Sequence, residues 1–558
     1  MYERADTQGS SRRWWEKTAH SLTVLALILV ALSLLADAGG FLSTDVGGKV
    51  ATLEAMDRRG DLSPDLGYWA ETVDPDGSLY PMWSTSHVDD KWINATTLPM
   101  IYAALPLYRL GGIHLAVLVP ILGTLLAALG ARRLARQLRG DGVLAFWIIG
   151  VASPATIYAL DFWEHSVALA LMVWAVILAL ESSRDGKGTG AAFGAGMLFG
   201  MAAAMRQEAL VYGFVAGSAL GVRLLISRRP LTAVIRGGAM AAGAAAMFTL
   251  NAALEWVAIG SSTRTGRSSG RAVAAGGELT SRIKEAIITG ASPFDRSELV
   301  FLMLSVVMAG LLIELGRRAR PEQAEPLGPI IAALGAIVLI AVINVVLRGL
   351  SFVHGLAAST PVALLALSHI DADPDRRFVA AIAVLSLPLV WMVQYTGGAV
   401  PQWGGRYILL SGTLLVAVAS AAMTSERATR VLCGVAFAGF VVTLMGVAWT
   451  VERTQSFAEA MSALADRDES VLVFHDPHIA REGGVLVLDE QWLAATGVEA
   501  RAEAAAVLAA LGIDEVGFVE HDRGEAPLTL PGWTIVDESR LALVSGSHLR
   551  IATLEAPE

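Results

Sequence analysis

The sequence predicts a polytopic α-helical membrane protein of about thirteen spans, followed by a small C-terminal α/β domain. Three observations predict it. The 558 residues are 54% hydrophobic and only 17% charged, with a mean hydropathy of +0.54, more apolar than a soluble fold requires. Apolar runs of roughly 17–25 residues recur along most of the chain, each long enough to cross ~30 Å of hydrocarbon as a helix. After residue 450 the pattern changes to short strands around one alanine-rich helix. The net charge of −10 belongs to loops and to that last segment, and it is no footprint of nucleic acid. Cys433 is the single cysteine, which excludes an intramolecular disulfide and a cysteine-based metal site.

In order, the apolar runs fall near 20–37, 113–130, 143–160, 165–181, 190–205, 209–226, 232–257, 298–316, 327–347, 353–369, 377–396, 407–423 and 430–450. Residues 1–19 are then a tail, 20–450 the membrane domain and 451–558 the α/β domain. SRRWWEK ahead of the first run resembles a twin-arginine export signal, with LLADAGG as its cleavage site. So many further spans favour a retained first helix with a basic flank. The basic stretches RRLARQLR, SRDGK, SRRP, GRRAR, PDRR and SERATR fall on the same side as Arg12, Arg13 and Lys17. That asymmetry places the N-terminus in the cytoplasm and the protein in the cytoplasmic membrane. An odd number of spans puts residues 451–558 outside.

Two outward loops are long. Residues 39–112 are rich in Asp, Gly, Pro and Trp. Within them INATTLPMIYAALPLYRLGG is apolar but short, and Pro99 and Pro106 interrupt it. It suits a helix lying in the membrane interface better than a full span. Residues 258–297 open with the basic, Ser/Gly-rich SSTRTGRSSGRAVAAGG and continue as LTSRIKEAIITG, an interfacial helix. The last segment alternates SVLVFHD, EVGFVEHD, WTIVDE, LALVSG and LRIATLE with a helical AEAAAVLAALG. Its HDPH and EHD acids and histidines read as surface residues.

Ionisable residues are nearly absent from mid-span, which disfavours a transporter with a polar path. They gather at the outward ends instead. Asp45 follows the first span in FLSTDVGGKV, beside two glycines. Asp161, Glu164 and His165 share the tight turn ALDFWEHSVA, and Arg206 and Glu208 lie in GMAAAMRQEALVYG. Arg264, Arg267 and Arg271 are in the basic loop, Arg348 and His354 bracket VVLRGLSFVHG, and Arg406 lies in VPQWGGRYILLSG. Each has an ordinary reading. Asp45 as a solvated cap, Arg206–Glu208 as an ion pair between two helices, and Arg406 as a snorkelling side chain would all be unremarkable in a membrane protein. Their convergence on one face favours chemistry. A sugar hydroxyl needs a carboxylate to take its proton, and a phosphate leaving group needs guanidinium groups or a divalent metal. Asp45 fits the base, and Arg206, Arg406, Arg264 and Arg267 fit a phosphate clamp. Asp161, Glu164 and His165, at i, i+3 and i+4, would share one face of a helical turn and serve a metal (Mg or Mn) or the acceptor, with Glu208 beside them.

On STDVGGKVATLEAM, DLSPDLGYWAETVDPDG, KWINATTLPMIYAALPLYRLGG, DFWEHS and AAAMRQEALV, the chain resembles the C-type membrane glycosyltransferases (GT-C). That superfamily includes protein mannosyltransferases, aminoarabinose transferases and oligosaccharyltransferases. The resemblance covers roughly residues 20–300. It implies a transferase that takes sugar from a polyprenyl-phosphate donor at the outer face and passes it to an envelope glycan, glycolipid or protein. It implies Asp45 as the first-loop catalytic acid, and Asp161 or Glu164 as second-loop acids that help hold a divalent ion. Two departures narrow it. Val46 follows Asp45 where protein mannosyltransferases carry a second acid, and no WWD-type motif occurs in the C-terminal segment. A flippase of a lipid-linked substrate, or a polymerase or ligase of oligosaccharides, stands as the alternative.

Overall fold

The computed structural model describes residues 7–41, 43–184, 188–260, 279–292, 298–320, 322, 325–348, 355–370, 373–393, 403–522, 529–544 and 547–557. Among them, eight helices are long and apolar enough to cross a membrane: Leu118–Gln137, His165–Ser183, Gly188–Met205, Glu208–Ile226, Pro230–Ile259, Leu299–Arg318, Pro374–Val393 and Glu426–Ala465. Shorter apolar helices run over Thr18–Ser33, Gly142–Val151, Gly328–Ile340 and Arg406–Ala422. The protein is a multi-pass, mostly helical membrane protein.

Two of the expected spans are broken helices. The run at 143–160 forms Gly142–Val151 and then a separate turn, Pro154–Ile157. The run at 353–369 forms Leu356–Ser359 and Val362–Leu367. Both breaks precede or contain a proline, which disfavours helical geometry in the residue before it. The first break is satisfied from within. Thr156 Oγ1 donates to the carbonyl of Gly150 at 2.9 Å, and Thr124 Oγ1 to that of Ala155 at 2.9 Å. Irregular backbone at membrane depth survives only where protein supplies such partners.

The loop between the first two apolar helices holds most of what positions the site. It begins with helix α1, Thr44–Arg59, which buries Val46, Val50, Leu53 and Met56. A two-stranded hairpin follows, β1 (Thr85–Val88) and β2 (Lys91–Asn94). The apolar segment after it is a helix from Leu98 that breaks at Gly111 and Gly112. Gly112 has φ +63°, a left-handed conformation that glycine adopts without strain. The break separates the short helix from the span beginning beyond it, as its length and prolines imply.

Elsewhere the helices approach closely through small residues. A Cβ at Gly196 would lie 1.9 Å from the carbonyl oxygen of Met240, and one at Gly243 would lie 2.2 Å from that of Phe193. Backbone contact of this kind is how membrane helices pack without a hydrophobic driving force.

The helix Glu426–Ala465 is 40 residues long. At 1.5 Å per residue it spans about 60 Å, twice the hydrocarbon thickness. The expected boundary at 450/451 therefore falls inside a continuous helix. Its far end buries Phe457, Ala460, Met461 and Leu464 against one face of a five-stranded sheet. The strands are β3 (Leu472–Phe474), β4 (Trp492–Ala494), β5 (Glu515–His521), β6 (Thr534–Ala542) and β7 (His548–Glu555), ordered β4-β3-β5-β7-β6. β3 pairs parallel with β4 and β5, and β7 antiparallel with β5 and β6. The helix Gly497–Leu511 covers the other face through Ala504, Val507 and Leu508. WTIVDE and LALVSG contribute to one strand rather than two, and Trp492–Ala494 is a strand that the apolar pattern alone did not mark.

Candidate active site

Asp45 lies in the first turn of α1, one residue after its start. Its side chain is 46% exposed. Oδ1 accepts a hydrogen bond from Arg481 Nη1 at 2.9 Å. Burial alone would push this carboxyl up. The charges of Arg481, Lys49 and Arg406 outweigh it and hold Asp45 below its ordinary value, ionised at neutral pH.

Lys49 sits one helical turn on from Asp45, on the same face of α1. It is 2% exposed, and its ammonium donates to Glu164 in a close ion pair. Glu164 also meets Arg206 Nη1 at 3.3 Å, and Arg206 Nε donates to Glu208 at 2.9 Å. Burial would raise the Glu164 carboxyl, but Lys49, His165 and Arg206 hold it well below the usual range. Burial would lower Arg206, and Glu208 and Glu164 raise it instead. The guanidinium carbons of Arg206 and Arg406 lie 5.2 Å and 4.5 Å from the centre of the Tyr407 ring. Arg406 donates to Tyr407 Oη, while its Nε is buried without a hydrogen-bond partner. Among the described residues no carboxylate forms an ion pair with Arg406.

The expected residues therefore divide. Asp45, Glu164, Arg206, Glu208 and Arg406 belong to one charged cluster at the end of the bundle that carries α1. Arg264, Arg267, Arg271 and His354 lie outside the described residues, as does the side chain of Arg348. Asp161, Glu164 and His165 do not share a helical face, because the helix starts only at His165 and residues 161–163 form a bend. Asp161 accepts from its neighbour's backbone, Phe162 N, at 2.6 Å. It lines a small separate recess with Asp37, His114 and Thr454. His165 stacks on Tyr158, ring centroids 4.6 Å apart, and both its nitrogens are buried without partners. The turn thus does not bring Asp161, Glu164 and His165 together on one helical face. Glu164 already meets two cations, and among the described residues no three His, Cys, Asp or Glu side chains converge as metal ligands.

Three further residues join the cluster. Lys49 carried a signal, since its i+4 spacing from Asp45 puts it on the same helical face. Asn94 and Arg481 carried none. Asn94 Oδ1 accepts from Arg481 Nη2 at 2.9 Å, across 387 residues of chain. Arg481 is 1% exposed, and the Glu482 beside it is buried against Arg453. Of the C-terminal acids expected at the surface, Glu520 is instead buried, at 4% exposure.

No protein-family profile matches the chain, and no curated protein does. The chain is similar to two crystal structures of ArnT from Cupriavidus metallidurans. For the form bound to undecaprenyl phosphate, identity is 14%, 96% of this chain and 97% of that one are covered, and the TM-score is 0.41. For the apo form the values are 15%, 97%, 98% and 0.40. It is also similar to the apo oligosaccharyltransferase of Archaeoglobus fulgidus, at 11% identity over 90% of this chain and 69% of that one, with a TM-score of 0.43. Overlaps of this size give no residue of the chain a role.

Proposed function

We propose that the chain is a GT-C-type glycosyltransferase of the cytoplasmic membrane. It transfers a sugar from a polyprenyl-phosphate donor to a hydroxyl of an envelope glycan, glycolipid or protein at the outer face. The observation that carries this reading is the charge balance beside Asp45. Lys49, Arg206, Arg406 and Arg481 supply four cations against the three carboxylates Asp45, Glu164 and Glu208. Among the described residues one positive charge is left over, and Arg406 is the member without a carboxylate of its own. A cluster with a surplus cation at the end of an apolar bundle suits a lipid whose phosphate sits at the membrane boundary.

In this reading the acceptor oxygen bonds to the anomeric carbon of the donor sugar while the bond from that carbon to the phosphate oxygen breaks. Asp45 takes the hydroxyl proton on Oδ2, since Oδ1 is held by Arg481. The prenyl phosphate leaves with the bonding electron pair, and Arg406 and Arg206 meet its added charge. The C-terminal segment, read as an extracytoplasmic α/β domain, reaches the site through Arg481.

The test is sugar transfer by the full-length protein in proteoliposomes, supplied with polyprenyl-phosphate sugars and a panel of glycan, lipid and peptide acceptors. Asp45→Asn abolishes transfer without loss of folded protein. Arg406→Ala and Arg206→Ala raise the apparent constant for the donor. Near-full turnover by Asp45→Asn overturns the assignment. Donor translocation without transfer replaces the whole reading with a flippase.

A further inference from the structure

We infer that Arg481 is a positioning residue for Asp45, locked by its own neighbour Glu482, so that the C-terminal segment completes the active site. The inference rests on the reading of Asp45 as the base.

Arg481 and Glu482 close the short helix Pro477–Glu482, and they reach opposite ways. Arg481 points to α1 and β2: Nη1 donates to Asp45 Oδ1 on α1 and Nη2 to Asn94 Oδ1 on β2, both at 2.9 Å. Glu482 points to the long helix, where both its oxygens accept from Arg453 Nη2 at 2.9 Å. All of Arg481, Glu482 and Arg453 are at most 9% exposed. Asn94 is itself fixed. Its amide donates to the carbonyl of Trp83 at 3.1 Å and to Thr85 Oγ1 at 2.9 Å, which leaves only Oδ1 to face Arg481. The guanidinium is therefore held in one plane from two sides. The carboxylate it holds stays 46% exposed as a side chain.

The glycines beside Asp45 make room for this arrangement. A Cβ at Gly47 would lie 1.9 Å from the carbonyl oxygen of Arg481, and one at Gly48 would lie 2.4 Å from Asn94 Oδ1 and 2.9 Å from Arg481 Nε. No other residue type lets the two backbones approach so closely. A lysine at 481 has one ammonium and cannot fork between Asp45 and Asn94 in the same geometry.

A side chain that only glued two segments together would affect folding and every kinetic constant alike. A positioning residue moves turnover and the pH profile. The groups facing Asp45 are Arg481, Lys49, Arg406 and Glu164. Removing the Arg481 charge leaves the carboxyl easier to protonate, which shifts the acid limb of activity to higher pH.

The experiment compares Arg481→Gln, Arg481→Lys and Asp45→Asn in the full-length protein in proteoliposomes, with one defined polyprenyl-phosphate sugar. Arg481→Gln is expected to lose about tenfold or more in kcat, with the donor KM little changed and the acid limb displaced upward. Arg481→Lys recovers the acid limb but only part of kcat. If Arg481→Gln does not fold, Asn94→Ala removes one of the two acceptors that orient the guanidinium and gives a smaller shift in the same sense. An unchanged kcat and acid limb overturns the inference, as does a parallel fall of kcat, donor affinity and thermal stability that lysine does not relieve. Should Asp45→Asn stay active, it is the assigned base that fails. An inactive Asp45→Asn beside an unaffected Arg481→Gln sinks the inference alone.

Discussion

Gly47 and Arg481 touch backbone to backbone: the Cβ that Gly47 lacks would sit 1.9 Å from the Arg481 carbonyl oxygen. That contact explains an acid followed closely by two glycines at the start of α1. Gly47→Ala must push the 477–482 helix off α1, at a cost of about 1–3 kcal/mol by the usual penalty for overpacking. Thermal unfolding in detergent checks it. Gly434→Ala, on the helix Glu426–Ala465 where nothing lies within 4 Å, leaves the melting temperature unchanged or slightly raised.

Glu164 is the shared counter-ion of Lys49 and Arg206. Arg206 has Glu208 as a second partner, but Lys49 has none among the described residues. Glu164→Gln therefore strands a buried ammonium and is expected to destabilise by about 3–5 kcal/mol. Adding Lys49→Met to that variant restores most of the loss. A double-mutant cycle on thermal stability measures the coupling, and a strictly additive pair would refute it.

Glu482 links stability to pH. Burial pushes its carboxyl up to about 7, against the opposing charge of Arg453. The folded state then binds the proton more tightly than the unfolded chain, whose value is near 4.5. The stabilisation from the protonated form is complete below about 4.5 and is lost as pH rises through about 7, a change of roughly 3 kcal/mol. Glu482→Gln removes that decline. Melting temperatures of parent and variant between pH 5 and 8 should differ in slope, and parallel curves would exclude the effect.

The crossing of Gly188–Met205 with Pro230–Ile259 depends on Gly196, whose absent side chain leaves room for the Met240 carbonyl. Gly196→Leu should lower both folded yield and thermal stability, while Gly190→Leu, with open space around it, should change neither. Fluorescence-detected size exclusion of the solubilised variants reads both.

Much of this was legible locally. The short helix before the second span was marked by its length and its prolines. The Arg206–Glu208 ion pair was the ordinary reading of two opposite charges where two helices meet. The charged cluster could be seen as a set of residues at helix ends, but not as a network. His165 misled, because i+3 and i+4 spacing means a shared face only if a helix already runs through it, and here the helix begins at His165 itself.

By itself the sequence determined that the chain is a membrane protein, where most of its spans run and that its last segment alternates strand and helix. Those properties are sums over short windows: hydrocarbon transfer is additive along a run, and side-chain periodicity repeats within it. Only the tertiary structure decided which cation meets Asp45. Arg481 lies 436 residues away, brought there by a sheet that packs on the far end of the long helix and by two glycines that admit it. No local free energy encodes such a pairing, because it exists only once both segments are folded and the water between them has been excluded.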